Sequence, residues 1–362
     1  MKILLVHASA GAGHMMAAKS VFDGLKAHTD HDVVLVDALD KTYPAFKKMY
    51  RDGYAFMIKK IPLIWAVAFG FLDIPIVYPL FKAIRRVYNA INTGNFAKYL
   101  VEEQFDCIIT CHFMPVEVAS ALKRKDLIKS KLITCVTDFD VHRIWLGAGV
   151  DLYTVACDFT KKKLMGMGVA EEKVAVTGIP TNEKFTQEHN VSELKQKLGV
   201  KENVFTALMA TGSFGIGPIE DIIKAVEGEL QIIVVSGHNK ALYATLQEKS
   251  YTGVIVMGLV DNMHELMAVS DVMITKPGGL STSEALVSEL PLIFFSPIPG
   301  QEINNIKVLA QHGVGIKGDT IEKIVDALKL YRSSKDAFVD ALQKTRVVAR
   351  PNAVKDIIAK IQ

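Results

Sequence analysis

The chain has 362 residues, of which half are hydrophobic and 22% are charged. This length predicts two domains, and the composition allows a large core and excludes a disordered chain. The net charge of +3 is too small to indicate nucleic acid as a partner.

The cysteines and the N-terminus predict a reducing compartment. Four cysteines lie in or beside apolar runs and lack the spacing of zinc ligands, so we expect reduced core thiols. The apolar stretch after Lys2 is too short for a signal peptide. We therefore expect a cytoplasmic protein.

Short apolar runs rich in β-branched residues alternate with helical patterns along the whole chain. Such runs, bounded by helices of 10–15 residues, are typical of parallel strands buried on both faces. We predict an α/β protein with two Rossmann-like, doubly wound domains that face a central cleft. The predicted strands are Lys2–Ala8, Asp32–Asp37, Asp106–Cys111, Lys131–Val136, Leu152–Ala156, Lys173–Thr177, Val204–Ala210, Gln231–Ser236, Val254–Gly258, Asp271–Thr275, Leu292–Ser296 and Val314–Lys317.

The alternation of strands and helices is interrupted twice. Residues 41–95 form a basic, aromatic insertion, and the polar residues 183–202 have the composition of an interdomain linker. We expect an N-terminal domain at 1–182, a C-terminal domain at 203–345, and a last helix within 346–362 that returns to the N-terminal domain.

The insertion predicts a membrane-facing surface. Residues 41–90 hold nine Lys/Arg against two acidic residues, and eleven of the 29 aromatic residues. The apolar run Ile61–Leu72 is too short to span a bilayer but suits the headgroup region, where cations meet anionic lipids. The alternative is a helical subdomain with its aromatic residues packed inward. Expected acceptor or membrane residues are Gly13, Lys59, Lys60, Trp65, Phe69, Arg85, Arg86 and His142.

The loop after the first strand allows two interpretations. Gly11 and Gly13, with Asp37 at the end of the second strand, resemble a dinucleotide fingerprint, but Met16 replaces its third glycine. His14 opens the following helix, where an imidazole either caps and packs or serves as a base at a cleft.

The segment 271–286, DVMITKPGGLSTSEAL, reads as strand, glycine turn and helix. Gly278 and Gly279 allow a tight turn and close approach of a ligand, while the helix N-terminus favours phosphate. The alternative is a capping box formed by Ser281 and Glu284. Candidate ligands of a nucleotide diphosphate sugar are Lys276, Gly278, Gly279, Ser281 and Thr282 for phosphate and Glu284 for ribose.

Two further polar loops follow predicted strands of the second half. Gly212-Ser213-Phe214-Gly215 lies where a Rossmann-type domain binds a diphosphate. The segment SPIPGQEINN, residues 296–305, offers side chains that can hydrogen bond to sugar hydroxyls: Gln301, Glu302 and Asn305.

These motifs together resemble the monogalactosyldiacylglycerol synthases and the bacterial processive diacylglycerol glucosyltransferases. The resemblance runs almost end to end, through GAGHMMAAKS (11–20), VTDFDVHRIW (136–145), TGIP (177–180), SGHNKAL (236–242), GLVDNMHELM (258–267) and TKPGG…SEAL with PGQE. One departure is SAGAGH, where many relatives have three consecutive glycines, although His14 keeps its place.

The resemblance implies a metal-independent, inverting transferase of the two-Rossmann architecture called GT-B. By position, Gly212 and Ser213 would contact the diphosphate, and Asn239 and Val260 would lie near the base. Gln301 and Glu302 would hold the transferred hexose.

The remaining candidates concern catalysis. His14 would lie beside the acceptor as the base, and Asp138 is a second candidate base, an acceptor-orienting group or the cap of its turn. The chain has no Asp-x-Asp motif suited to holding a nucleotide-bound divalent ion, so we expect neither a metal nor another cofactor.

The predicted function is transfer of glucose or galactose from UDP-glucose or UDP-galactose to diacylglycerol, with the protein bound peripherally to anionic lipids on the inner face of the cell membrane. Alternatives are an N-acetylglucosaminyltransferase acting on a lipid-linked peptidoglycan precursor, an NAD-dependent enzyme, and a non-catalytic binder of lipid or nucleotide.

Overall fold

The computed structural model describes residues 1–9, 11–212, 215 and 217–361, with only the backbone of Lys59. The chain divides into two compact units. The first comprises Met1–Asn182, Ile298–Asn304 and Asn352–Gln362, and the second comprises Glu183–Pro297 and Asn305–Pro351.

The first unit is built on a six-stranded parallel sheet with the order β2-β1-β3-β4-β5-β6. The order reverses between β1 and β3, and ligands of open α/β sheets bind beyond the strand ends at such a switch point. The strands are β1 (Lys2–His7), β2 (Asp32–Asp37), β3 (Cys107–Thr110), β4 (Lys131–Cys135), β5 (Leu152–Val155) and β6 (Val174–Val176).

Helices connect these strands, and four of them form the insertion between β2 and β3. Three helices of the insertion start with proline at the first or second position, which suits an N-terminal turn that needs no amide hydrogen there. The helices are α1 (Ala12–His28), the insertion helices α2 (Pro44–Lys60), α3 (Pro62–Leu72), α4 (Tyr78–Asn92) and α5 (Gly94–Glu103), then α6 (Phe113–Lys123) and α7 (Asp158–Gly166).

The second unit repeats the architecture with the sheet order β12-β11-β10-β7-β8-β9, and its switch point lies between β7 and β10. The strands are β7 (Thr206–Ala210), β8 (Gln231–Val235), β9 (Val254–Met257), β10 (Val272–Thr275), β11 (Leu292–Phe295) and β12 (Ile316–Gly318). The helices are α8 (Val191–Leu198), α9 (Ile219–Val226), α10 (Lys240–Lys249), α11 (Met263–Ala268), α12 (Gly279–Val287), α13 (Gln301–Gln311), α14 (Ile321–Ser333) and α15 (Lys335–Val348), and the first four residues of α13 group with the first unit.

Two parallel, doubly wound sheets confirm the predicted fold class, and each expected strand run overlaps one observed strand. Buried apolar side chains lie on both faces of these strands, so continuous apolar runs in the sequence predicted the strands correctly.

The structure does not divide simply into an N-terminal and a C-terminal half of the chain. Residues 183–202, expected as a linker, contain α8 and group with the second unit. The last helix, α16 (Ala353–Ile358), packs in the first unit against α1. Gly24 allows this approach, because a Cβ atom there would lie 2.3 Å from Cγ1 of Val354.

Candidate active site

His14 lies in the first turn of α1, beyond the carboxyl end of β1 and thus at the first switch point. Its Nδ1 is 2.9 Å from the Thr137 hydroxyl oxygen. The His112 ring meets the His14 ring edge to face with centroids 4.7 Å apart, and the Trp145 ring lies 6.0 Å away. Residues that follow β1, β3 and β4 therefore converge around the imidazole.

The imidazoles at this switch point are held in their neutral form. Burial lowers the pKa of His14 to about 4, a hydrogen bond with the Cys111 backbone opposes this shift, and the nearby His7 ring adds to it. The pKa of His112 also lies well below its ordinary value because the ring is buried. Burial is therefore the first cause of the neutral state of both rings.

Three members of this cluster were missed from the sequence: His7, His112 and Thr137. Each stands at or just after the carboxyl end of a strand, and that position is the signal that could have singled them out. The His112 Nδ1 accepts a hydrogen bond from the Met114 amide and so caps α6. The buried Nδ1 of His7 has no hydrogen-bond partner among the described residues.

Asp138 is buried next to Thr137, and its carboxylate is joined to the segment Ile298–Asn304 of the same unit. The Gln301 side-chain amide donates to Oδ2 of Asp138 over 2.8 Å. Glu302 accepts from the Ile298 amide over 2.6 Å, so its carboxylate shapes the turn before α13. A candidate catalytic group and a candidate sugar-binding group thus contact each other directly.

His142 is buried, and hydrogen bonds engage both of its ring nitrogens. Nδ1 accepts from the Ile144 amide over 2.9 Å, and Nε2 donates to the Phe69 carbonyl over 2.9 Å. Burial lowers the pKa of this imidazole, which agrees with a neutral ring that accepts at one nitrogen and donates at the other.

The second switch point carries an uncapped helix N-terminus. Helix α12 begins at Gly279 with Gly278 as its N-cap, and no side chain among the described residues caps it. Ser281 therefore occupies the third helical position, so it cannot serve as the N-cap of a capping box and that alternative is wrong. The first amides of the helix have no intrahelical partner by geometry and are suited to an anion.

Buried polar groups without partners surround this helix start. The hydroxyl oxygens of Thr282 on α12 and Thr211 after β7 are buried and have no hydrogen-bond partner among the described residues. Burial raises the pKa of Glu284 to about 8. A bound ligand with oxygen atoms would relieve each of these unfavourable states.

The loop after β7 is shaped by glycine. Gly212 is exposed with a φ of +75°, and Gly215 has a φ of +54°. A Cβ atom on Gly215 would lie 2.5 Å from the Ser236 carbonyl oxygen, so only glycine fits there. Ser213, expected beside the diphosphate, lies outside the described residues.

The side chains of Asn239 and Asn305 both form hydrogen bonds within the second unit. Asn239 caps α10 by accepting from the Leu242 amide over 3.0 Å, and it donates to the Gly215 carbonyl. Asn305, expected to bind the hexose, is fully buried and donates to the Pro277 carbonyl over 3.0 Å. We correct that expectation, because Asn305 supports the glycine turn from behind. Val260 and Lys276 are half-buried.

The residues of the insertion that were expected at a membrane have different environments in the structure. Arg85 is only 9% exposed and its Nε lies 2.7 Å from the Glu117 carboxylate, so its assignment to the lipid-facing surface is corrected. Trp65 and Phe69 are half-buried and pack on each other, 5.5 Å between centroids. Lys60 is exposed, Gly13 and Arg86 are half-buried, and the Lys59 side chain is outside the described set.

The outward faces of α3 and α4 are apolar instead. On α4, charged and polar side chains point inward while aliphatic side chains recur at helical spacing on the exposed face, the reverse of an ordinary surface helix. The exposed apolar residues of this surface, which includes the turn between the two helices, are Leu63, Ile64, Val67, Phe71, Ile76, Leu80, Ile84, Val87 and Ile91.

Among the described residues, no single helix has the length and apolarity to cross a bilayer, and only a bent pair, Pro44–Ile58 with Pro62–Leu72 at 108°, has them in combination. The described residues also hold no group of three His, Cys, Asp or Glu side chains arranged to bind a metal ion. Metal independence stays a prediction.

Comparisons with known proteins account for both units. Residues 14–181 match the family model of monogalactosyldiacylglycerol (MGDG) synthase, and residues 218–357 match that of the glycosyltransferase family 28 C-terminal domain. A processive diacylglycerol beta-glucosyltransferase of Bacillus cereus (strain AH187) is 30% identical over 87% of this chain and 81% of its own length. The chain belongs to this family of diacylglycerol glycosyltransferases.

The same family includes a processive diacylglycerol beta-glucosyltransferase of Staphylococcus carnosus, which is 28% identical over 90% of this chain and 83% of its own length. Among solved structures, Acinetobacter baumannii MurG has a TM-score of 0.63 at 16% identity, covering 100% of this chain and 99% of MurG. Anabaena HepE in complex with UDP has a TM-score of 0.61 at 15% identity, over 100% and 99%. These two likenesses show the fold alone, which is the GT-B architecture expected of the family.

Proposed function

We propose that this protein is an inverting glycosyltransferase that moves a hexose from a UDP-hexose to diacylglycerol. The observation that carries the proposal is its close relationship, over most of its length, to enzymes named for that activity. The chemistry of the two switch points fits a transferase: one presents neutral imidazoles, and the other presents unpaired donors for an anion.

The donor is assigned to the second switch point. The amides at the start of α12 and the hydroxyls of Thr211 and Thr282 bind the diphosphate, and the two ribose hydroxyls donate to Glu284. Those hydrogen bonds stabilise the ionised carboxylate, so UDP binding lowers the pKa of Glu284 from its raised value of about 8. Amides and helix dipole stabilise the charge that develops on the departing UDP.

The acceptor is assigned to the first switch point. The free hydroxyl oxygen of diacylglycerol attacks the anomeric carbon, and the bond from that carbon to the diphosphate oxygen breaks. The hydroxyl proton passes to the base, and UDP leaves with the electron pair. Attack from the face opposite the leaving group inverts the anomeric centre.

We assign the base role to His14. Its imidazole is neutral at physiological pH because burial depresses its pKa, and a neutral imidazole can accept the proton. Thr137 holds the ring through Nδ1. Asp138, whose carboxylate is bound by Gln301, then orients the acceptor.

We assign the apolar faces of α3 and α4 to the surface of a membrane that contains anionic lipids, on the cytoplasmic side. Exposed aliphatic side chains on both helices give a hydrophobic contact, and exposed cations of the same insertion, among them Lys48, Arg51 and Lys60, meet phosphate headgroups. A lipid acceptor such as diacylglycerol is available only at such a surface.

The test is to mix purified protein with diacylglycerol vesicles and, separately, UDP-glucose, UDP-galactose or UDP-N-acetylglucosamine, and to weigh the lipid products by mass spectrometry. A product heavier by one or more hexoses with one of the first two donors supports the proposal and counts the sugars added. Transfer only from UDP-N-acetylglucosamine, or release of UDP without a glycolipid, would refute it.

A further inference from the structure

The segment 137–145 carries the acceptor-side groups, and it is fastened to the insertion helix α3. Thr137 holds His14, and Asp138 is its neighbour. Farther along the segment, His142 donates to the Phe69 carbonyl of α3 over 2.9 Å, and its ring lies 4.1 Å from the Phe69 ring, centroid to centroid. One buried imidazole thus joins the segment to α3.

A second attachment follows directly at the end of α3. Asp73 accepts a hydrogen bond from the Arg143 amide over 2.7 Å, and its own carbonyl accepts from Nε of Arg143 over 2.9 Å. Because neighbouring residues of the segment bind to the last turn of the same helix, a displacement of α3 is transmitted to the segment.

The opposite face of α3 belongs to the lipid-facing surface. Leu63 and Val67 are each 74% exposed, and Phe71 is 54% exposed. Phe69 points inward from the same helix. A single helix of eleven residues therefore presents one face for lipid and holds the acceptor-side segment with the other.

We propose that His142 is a positioning residue that couples the seating of α3 on a lipid surface to the placement of Thr137 and Asp138. This inference rests on the proposed function, in which those residues hold the base and the acceptor. The lipid surface immobilises α3, and the hydrogen bond from His142 to Phe69 then restricts the motion of the segment 137–145.

Two substitutions of His142, each of which keeps one of its two hydrogen bonds, distinguish coupling to α3 from a local role in capping the turn. An asparagine oxygen takes the place of Nδ1, so His142→Asn keeps the bond from the Ile144 amide and loses the bond to Phe69. A glutamine amide takes the place of Nε2, so His142→Gln keeps the bond to Phe69 and loses the cap. If His142 only capped the turn, the glutamine variant would be the more damaged one.

The direct test is hydrogen–deuterium exchange of the amides in residues 137–146, with and without vesicles of phosphatidylcholine and phosphatidylglycerol. Vesicles should slow exchange about tenfold in wild type and His142→Gln but much less in His142→Asn, which keeps only the Asp73 bonds to the end of α3. The exposed His312 provides the matched control, since His312→Asn should behave as wild type. Val67→Glu, which blocks seating without touching His142, should also abolish the protection.

Equal protection in His142→Asn and wild type, or no protection by vesicles in wild type, would overturn the coupling. Steady-state kinetics provide a second test. His142→Asn should lower kcat on vesicle-borne diacylglycerol about tenfold with an unchanged KM for the UDP-sugar. If wild type transfers no sugar, the proposed function fails, while the exchange experiment still decides the coupling.

Discussion

The two switch points have the same topology but opposite electrostatic character. In the first unit, His7, His14 and His112 surround the strand ends, and burial keeps their imidazoles neutral. In the second unit, the strand ends carry a helix start and two buried hydroxyls that lack side-chain caps or partners in the described part of the chain, and a carboxyl group whose pKa is raised to about 8.

This difference indicates a division of labour between the sheets. Neutral imidazoles can take up a proton but bind no anion strongly, whereas free amides bind phosphate but cannot act as a base at physiological pH. Substitutions at the first switch point should therefore change turnover, and substitutions at the second should change donor affinity.

The largest expected effect is that of His14→Ala. Removing the base should lower kcat by about 100-fold or more, while calorimetry with UDP should give an unchanged Kd. His312→Ala serves as the control for loss of an exposed imidazole. Full activity of His14→Ala would remove this residue from the mechanism, and a weakened affinity for UDP would break the division of labour.

Glu284→Ala should produce the reverse pattern. Losing the acceptor of two ribose hydroxyls should weaken UDP binding about thirtyfold, because hydrogen bonds to a charged group contribute more than neutral ones. Titration calorimetry measures the change. An unaltered Kd with a reduced kcat would place Glu284 in the chemical step instead.

The pH dependence of stability provides a third test. The folded pKa of Glu284, about 8, lies above its ordinary value of 4.5, so its contribution to the free energy of unfolding is complete below pH 4.5 and is lost as pH rises to 8. Glu284→Gln should remove this fall, which amounts to at most about 1.4 kcal/mol per pH unit. Urea unfolding at pH 6 and pH 8 measures it, and parallel pH profiles of the two proteins would contradict the raised pKa.

The smallest expected effect comes from Thr211→Val. The Thr211 hydroxyl is buried and without a partner among the described residues, so valine should leave the protein equally or more stable. UDP affinity should fall about fivefold, because the diphosphate loses one donor. A loss of stability with unchanged affinity would show that the hydroxyl serves the fold.

Sequence patterns predicted the strands because buried parallel strands need continuous apolar runs, and each sheet places its motifs after such runs. They also located His14 and the glycine turn, whose local chemistry is visible in the motif itself. The capping-box alternative implied a start of α12 at Ser281, whereas the helix begins two positions earlier, at Gly279.

Partners that are distant in the chain escaped prediction. Arg85 was assigned to the membrane surface because its buried partner, Glu117, is distant in the chain and cannot be inferred from the residues around Arg85. Asn305 was expected to hydrogen bond to a sugar, but in the fold its side-chain amide donates to the Pro277 carbonyl. His112 and Thr137 likewise reach His14 only through the order of strands β1, β3 and β4.

The most direct measurement of the central claim is a crystal structure of the protein soaked with UDP. We expect diphosphate density within hydrogen-bonding distance of the first amides of α12, with the ribose hydroxyls on Glu284. An empty second switch point, or UDP bound at the Gly11–Gly13 loop of the first unit, would contradict it.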